Sequence, residues 1–319
     1  MRKQLIIFLL AMLTPLLAHS DVIFPAPLKA GDRIAIVAPS GHVERHYVDE
    51  AVQVIREQGY EPVVYPTVDM HTGQFSGTKQ QRLADLRSAL TDPSIRAVLC
   101  ARGGYGMVHL LDSLATLDLA ADPKWVIGFS DISALHALLS SKGIASIHSP
   151  MARHIGRGMN HYENQSLFRI LRNDFPAYNF EPHPLNHTGD AEGKLLGGNL
   201  AVLQALIDTP YDIIQPGTIL FIEDVDEPVY KVERMLYQLK LSGVLGKLNG
   251  LIVGQFTGYK PDPNHASMEA MIAEVLSDYP ELPVAFNAPV GHVEANLPLV
   301  ESSTVRLHVS PTRVTLRPR

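Results

Sequence analysis

The sequence predicts an α/β protein, with a parallel-sheet domain first and a smaller, mixed α/β domain after it. Three observations carry this reading. Short apolar runs alternate with amphipathic helical stretches between residues 32 and 148, the pattern of a parallel sheet covered on both faces. Residues 155–192 then bring Asn, His, Pro and aromatic side chains without a sustained period, and read as a linker. The chain has 319 residues, 46% hydrophobic and 19% charged, which is globular composition and enough material for one large or two medium domains.

The elements follow in order. Residues 32–37 (DRIAIV) read as a buried strand, and 43–58 as a helix with Tyr47, Val48, Ala51, Val54 and Ile55 on one stripe. Residues 62–65 form a second strand. Helix 79–90 has Thr78 as N-cap, with Leu83, Leu86 and Leu90 facing inward. Strand 95–100, a glycine-rich turn, a helix near 105–114 and strand 125–129 come next, then helix 131–141 and strand 145–148. Past residue 193 the pattern loosens. Helix 200–208, strand 218–222, helix 229–241, strand 250–254, helix 265–277, strand 283–286 and a hairpin (304–309 with 313–317) are expected. The domain division is therefore 21–154, linker 155–192, and 193–319.

Residues 1–20 stand outside this scheme. Arg2 and Lys3 precede an apolar run from Leu5 to Ala18, and Ala18-His19-Ser20 supplies small residues around a cleavage point. This is the pattern of a secretory signal peptide, too short to span a bilayer. No later stretch is long or apolar enough to do so. The formal charge is −6, and becomes −8 when residues 1–20 leave with those two bases and no acids. Without clustered Lys and Arg, nucleic acid is excluded as a partner. Cys100, the only cysteine, ends an apolar strand and reads as a buried small hydrophobe rather than a nucleophile.

The chemistry-bearing residues start with Gly128-Phe129-Ser130-Asp131. A strand ends there and a helix begins at once. A serine at such a corner is pushed out of the sheet, beside helix N-terminal N–H groups that can hold an oxyanion. Ile132 replaces the second glycine of a full Gly-x-Ser-x-Gly elbow, and a plain helix cap by Ser130 or Asp131 is the competing reading. The turn Ala101-Arg102-Gly103-Gly104-Tyr105-Gly106 follows strand 95–100. It fits neither a dinucleotide fingerprint nor a P-loop, which leaves an oxyanion-hole segment or a tight turn. A serine needs a base and an orienting acid. Fourteen histidines offer themselves, among them His292 in a loop after strand 283–286. Glu223, Asp224, Asp226 and Glu227 all lie just beyond strand 218–222. His42-Val43-Glu44-Arg45-His46 places two histidines at i and i+4, but Glu44 is one position late for a zincin.

Taken together, several segments resemble one family, the LD-carboxypeptidases or murein tetrapeptide carboxypeptidases. They are the strand from Gly31 to Ser40, the loop Ala101–Gly106, the elbow Ile127–His136, the stretch Gly193–Leu200, the acids Ile222–Glu227, and Gly291-His292. The resemblance implies a Rossmann-like N-terminal domain, a distinct C-terminal domain, and often a homodimer. It implies Ser130 as nucleophile, His292 as general base, Glu223 as its acid, and the N–H groups of Asp131 and Gly104 as oxyanion donors. It implies peptidoglycan-derived peptides as partners and neither metal nor organic cofactor. Arg102 is the candidate for the substrate's terminal carboxylate, from position alone. The chain departs from the pattern in its export signal, which points to a periplasmic or otherwise exported protein, and in lacking a glycine within Ala295–Glu301. Two other readings remain: a microcin-immunity-type amidohydrolase of the same superfamily, and a muropeptide-binding protein without catalysis.

Overall fold

The computed structural model describes residues 22–319, so the candidate signal peptide lies outside the described residues. The first sheet is built from β1 (Arg33–Val37), β2 (Glu61–Val64), β3 (Ile95–Cys100), β4 (Trp125–Gly128) and β5 (Ser146–His148). These five are parallel neighbours in the order 5-4-3-1-2. Side chains alternate across β1. Ile34 and Ile36 join a core with Trp125, Ile127 and the helices α1 (Arg45–Glu57), α5 (Ala152–Ile155) and α6 (Tyr162–Leu171). Ala35 and Val37 face the opposite core, with α2 (Lys79–Thr91), α3 (Leu111–Ala115) and α4 (Ser133–Ser141). Thr78 caps α2 as expected, in a reciprocal capping box with Gln81.

The second sheet has seven strands: β6 (Tyr178–Phe180), β7 (Gly189–Asn199), β8 (Thr218–Val225), β9 (Gly250–Thr257), β10 (Val284–Ala285), β12 (Thr304–Val309) and β13 (Val314–Pro318). The run β7-β8-β9-β10 is parallel, and β12, β13 and β6 add antiparallel strands beside β7. Helices α7 (Leu200–Gln204), α8 (Val229–Leu241) and α9 (Met268–Leu276) cover one face. Their buried side chains belong to the same apolar cluster as α4 and the first sheet, so one core runs through both halves. Strand β11 (Leu299–Glu301) comes late in the chain yet pairs antiparallel with β5, tying the two sheets together. Among the described residues no helix is long and apolar enough to cross a membrane.

Several expectations need correction. Residues 155–192 are not a bare linker: α6 buries Leu167, Phe168, Ile170 and Leu171 on the first sheet, and β6 and the start of β7 belong to the second. β7 is hidden in the sequence by Gly189, Gly193, Gly197 and Gly198, which break its apolar pattern. At Gly197 a Cβ would lie 2.0 Å from the Phe221 carbonyl oxygen, so only glycine permits that pairing. The helix near 105–114 splits into a 3-10 turn, Met107–His109, and the short α3. The helix at 200–208 stops at Gln204, before Asp208 turns to φ 62° and Pro210 follows. The helix at 265–277 begins only at Met268, because Ser267 accepts a hydrogen bond from the Ala270 N–H as its N-cap.

Candidate active site

In a parallel sheet of order 5-4-3-1-2 the crevice opens at the carboxyl ends of β1 and β3, where the winding reverses. The loops leaving both strands meet there. Gly41 N–H donates to the Gly103 carbonyl at 2.8 Å, and a Cβ on Gly104 (φ 109°) would stand 3.1 Å from Gly41 Cα. Arg82, which the periodicity of α2 does not single out, is 2% exposed and donates to the carbonyls of Pro39 (2.6 Å) and Gly106 (3.1 Å). It thereby pins one loop to the other.

The adjacent β4 delivers Ser130 to this crevice. Ser130 has φ 64°, a left-handed conformation that costs a non-glycine residue free energy and is held only by its surroundings. After it, residues 130–132 make a 3-10 turn before α4 starts at Ser133. Neither Ser130 nor Asp131 caps the helix with its side chain. Asp131 instead points back, accepting from Ser40 Oγ (2.5 Å) and the Met107 N–H (2.8 Å). Its burial raises its carboxyl pKa against those two hydrogen bonds. The Gly103 backbone presses on the serine: a Cβ there would sit 2.8 Å from Ser130 Cβ and 3.0 Å from Oγ.

The second sheet contributes the facing groups. Glu223 lies near the end of β8, where the register with β9 shifts between Ile222 and Asp224. Such an irregularity re-aims a side chain. Glu223 is fully buried, and its Oε2 is 2.7 Å from His292 Nδ1. His292 Nε2 is 3.0 Å from Ser130 Oγ. The histidine sits on a turn whose Gly291 has φ 120° and donates its N–H to Asn296 Oδ1 at 2.9 Å. A Cβ on Gly291 would meet Glu223 Cβ at 2.8 Å, so glycine lets the turn close on the carboxylate.

Electrostatics single out His292. Burial alone would lower its pKa, but the hydrogen bond and charge of Glu223, with Asp224 and Asp226 behind, outweigh it and raise the pKa above 6.5. The neighbouring histidines go the other way. Burial pushes His136 and His154 down to about 4, and His136 is held by Ser146 and the Gly128 carbonyl. Of the four candidate acids, Glu223 alone faces the imidazole at hydrogen-bond distance. Asp224 is occupied by Asn199 Nδ2 and the N–H groups of Ala201 and Val225, and burial pushes it up to about 6.

Two cavities meet at Ser130. One, of about 510 Å³, is lined by His292, Gly103, Arg102, Arg153, Tyr47 and Asp226, among others. The other, of about 340 Å³, lies past Gly104 and Asp131 and reaches Asp224 and Glu227. Arg102 donates to the His42 carbonyl and lines the first cavity. Arg153 also lines it, over the Tyr47 ring at 5.5 Å, and no sequence signal marks it. His42 stacks on His71, while His46 stands 3.4 Å from Glu44; no metal-holding group of three or more His, Cys, Asp or Glu occurs among the described residues. Cys100 is buried, and burial raises its thiol pKa strongly, which leaves it an inert core side chain.

A hydroxyl, an imidazole and a buried carboxylate hydrogen-bonded in series at a cavity mouth have the geometry a serine hydrolase requires. Comparison with known proteins agrees. Residues 34–149 match the LD-carboxypeptidase N-terminal domain, and residues 192–307 match the LD-carboxypeptidase C-terminal domain. The murein tetrapeptide carboxypeptidase of Pseudomonas aeruginosa is 33% identical over 274 residues, 83% of this chain and 89% of that protein. A crystal structure of muramoyltetrapeptide carboxypeptidase from Oxalobacter formigenes is 30% identical, with a TM-score of 0.81 covering 89% of this chain and 97% of that one. A more distant relative, the microcin C7 self-immunity protein of Escherichia coli, is 25% identical over 89% of this chain and 93% of its own length.

Proposed function

The chain belongs to the LD-carboxypeptidase family and is a serine-type peptidase, and on that premise we propose that it removes the terminal D-alanine from murein tetrapeptides. The bond cut is the amide between the L-configured centre of the diamino acid and D-alanine. The observation that carries this reading is the hydrogen-bonded relay from Glu223 through His292 to Ser130, at the junction of two cavities.

In this mechanism His292 Nε2 takes the hydroxyl proton as Ser130 Oγ attacks the carbonyl carbon. Glu223 keeps the imidazole oriented and stabilises its protonated form. The N–H groups of Asp131 and Gly104 hold the oxyanion, on a backbone already fixed before substrate arrives. The tetrahedral intermediate collapses as His292 gives its proton to the departing amine. Water, deprotonated by His292, then splits the acyl-enzyme and restores Ser130. The released D-alanine lies on the His292 side, where Arg102 and Arg153 face the first cavity and are suited to its carboxylate. Residues 1–20 support an exported protein acting on periplasmic peptidoglycan.

The test uses residues 21–319 with a purified disaccharide tetrapeptide, read by mass spectrometry. Loss of one alanine that disappears in Ser130→Ala and persists with a chelator supports the proposal. A folded protein that releases none sinks it. The microcin-type relative keeps a second reading alive, hydrolysis of a peptidyl-nucleotide amide. Trp125, the only tryptophan, is 1% exposed in β4 and so offers no stacking face to a base. A binding protein without catalysis is distinguished by turnover itself.

A further inference from the structure

The two cavities at Ser130 differ in charge, and the direction of proton transfer assigns them. The leaving amine must face His292, which lines the first cavity together with two guanidinium groups, Arg102 and Arg153, and two carboxylates, Glu44 and Asp226. The side chain on the acyl side of the scissile bond is then directed past Gly104 and Asp131 into the second cavity. Its walls are apolar, from Tyr105, Val108, Val202 and Leu206, and it is lined by carboxylates but by no Lys, Arg or His among the described residues.

Two of those carboxylates are already engaged. Asp131 holds Ser40 and the Met107 N–H, and Asp224 holds Asn199, Ala201 and Val225. Glu227 is not. Its Oε2 is shielded from solvent and receives no hydrogen bond among the described residues. Lys231, half-exposed and one helical turn on, comes within 3.4 Å of it without making one. An apolar channel with a carboxylate on its wall whose Oε2 still has hydrogen-bonding capacity to spare matches an aliphatic side chain with a terminal ammonium.

We infer that Glu227 is the specificity-determining residue that receives the distal ammonium of the diamino acid in the second cavity. The inference rests on the proposed carboxypeptidase reading. It makes the enzyme selective for an amine-bearing third residue over an isostere without the amine, because the isostere forgoes a charge-assisted hydrogen bond to Glu227 and leaves that carboxylate with Lys231 as its only partner. Lys231 completes the neutralisation when the cavity is empty.

Two tetrapeptides test this, identical except for the third residue: meso-diaminopimelate, or L-2-aminopimelate, which lacks only the distal amine. For the unmodified protein, kcat/KM should favour the diamino substrate by roughly 10- to 100-fold, chiefly through KM. In Glu227→Gln the preference should shrink to within about threefold, and in Glu227→Lys it should vanish or invert, since the remaining distal group is a carboxylate. Thermal melting of both variants establishes that they are folded, and the unmodified protein's own ratio is independent of either. Equal rates on the two substrates, or an unchanged ratio in folded Glu227→Gln, would overturn the inference and leave the carboxypeptidase reading standing. Cleavage of neither substrate would overturn both.

Discussion

The first sheet and the second contribute to the site by different physics. From the first come backbone groups: Ser130 held at φ 64°, Gly104 at φ 109°, and the Gly103 main chain packed on the serine. From the second come side chains: a fully buried Glu223 and a His292 whose side chain is 21% exposed. A strained turn is local, stabilised by the strand and helix on either side of it. A buried carboxylate exists only because a partner from elsewhere in the chain meets it. Ser130 is therefore positioned within one domain, whereas its contact with His292 depends on how two domains are joined.

The sharpest way to break that comparison is to remove one proposed member from each side. Ser130→Ala and His292→Ala should each lower kcat by about 10⁴- to 10⁶-fold, and the double variant should be no worse than the singles, because the groups act as a unit. Additive losses in D-alanine release would show that the two sides work independently.

Replacing the buried acid tests the second sheet alone. Glu223→Gln should cost about 10³- to 10⁴-fold in kcat. The pH profile is more specific. In the proposed mechanism His292 must be neutral to accept the serine proton, so kcat/KM should fall as pH drops through its raised pKa, above 6.5. In Glu223→Gln that acid limb should move to lower pH. Stability runs the opposite way: a histidine whose folded-state pKa is raised stabilises the fold below 6.5 and loses that contribution as pH rises through the folded value. The variant should thus be destabilised more on the acid side of 6.5 than on the alkaline side, as denaturant melts across pH would report.

Glycines sharpen the contrast further. Gly103→Ala would push a Cβ against Ser130, and Gly291→Ala would push one against Glu223, each with a contact of 2.8 Å. Both should lower kcat by about 10²-fold through displacement of a reacting group. Only Gly291 also has a positive φ, so its variant should lose about 1–3 kcal/mol more stability than Gly103→Ala. Equal melting temperatures would contradict this. The smallest effect belongs to Cys100→Ala: kcat within about twofold, roughly 1 kcal/mol less stable, and no inhibition of the unmodified protein by thiol reagents.

How much of this the sequence displays depends on how local each feature is. α8 is legible because Val232, Met235, Leu236 and Leu239 recur at helical spacing, and they are its buried face. β7 is not legible, because the glycines that let it lie against β8 and α4 erase the apolar pattern that would announce it. The helix within 162–171 escapes for a related reason: it buries Glu163, Asn164 and Ser166 beside its apolar residues, so polarity no longer tracks the face. β11 is only three residues long and takes its strand character from β5, far away in the chain.

By itself, the sequence determined what neighbouring residues decide among themselves: the alternation of strands and helices, the Thr78 cap, the glycine-rich turn, and the serine at a strand–helix corner. Composition and spacing alone left fourteen histidines and four clustered acids open, and resemblance to a family narrowed them. Their placement in space came only from the tertiary structure. His292 is 69 residues from Glu223 and 162 from Ser130. Nothing in local propensity reports a contact across such distances. It is set by the order of strands in two sheets, the register shift at Glu223, and the core that binds the two halves together.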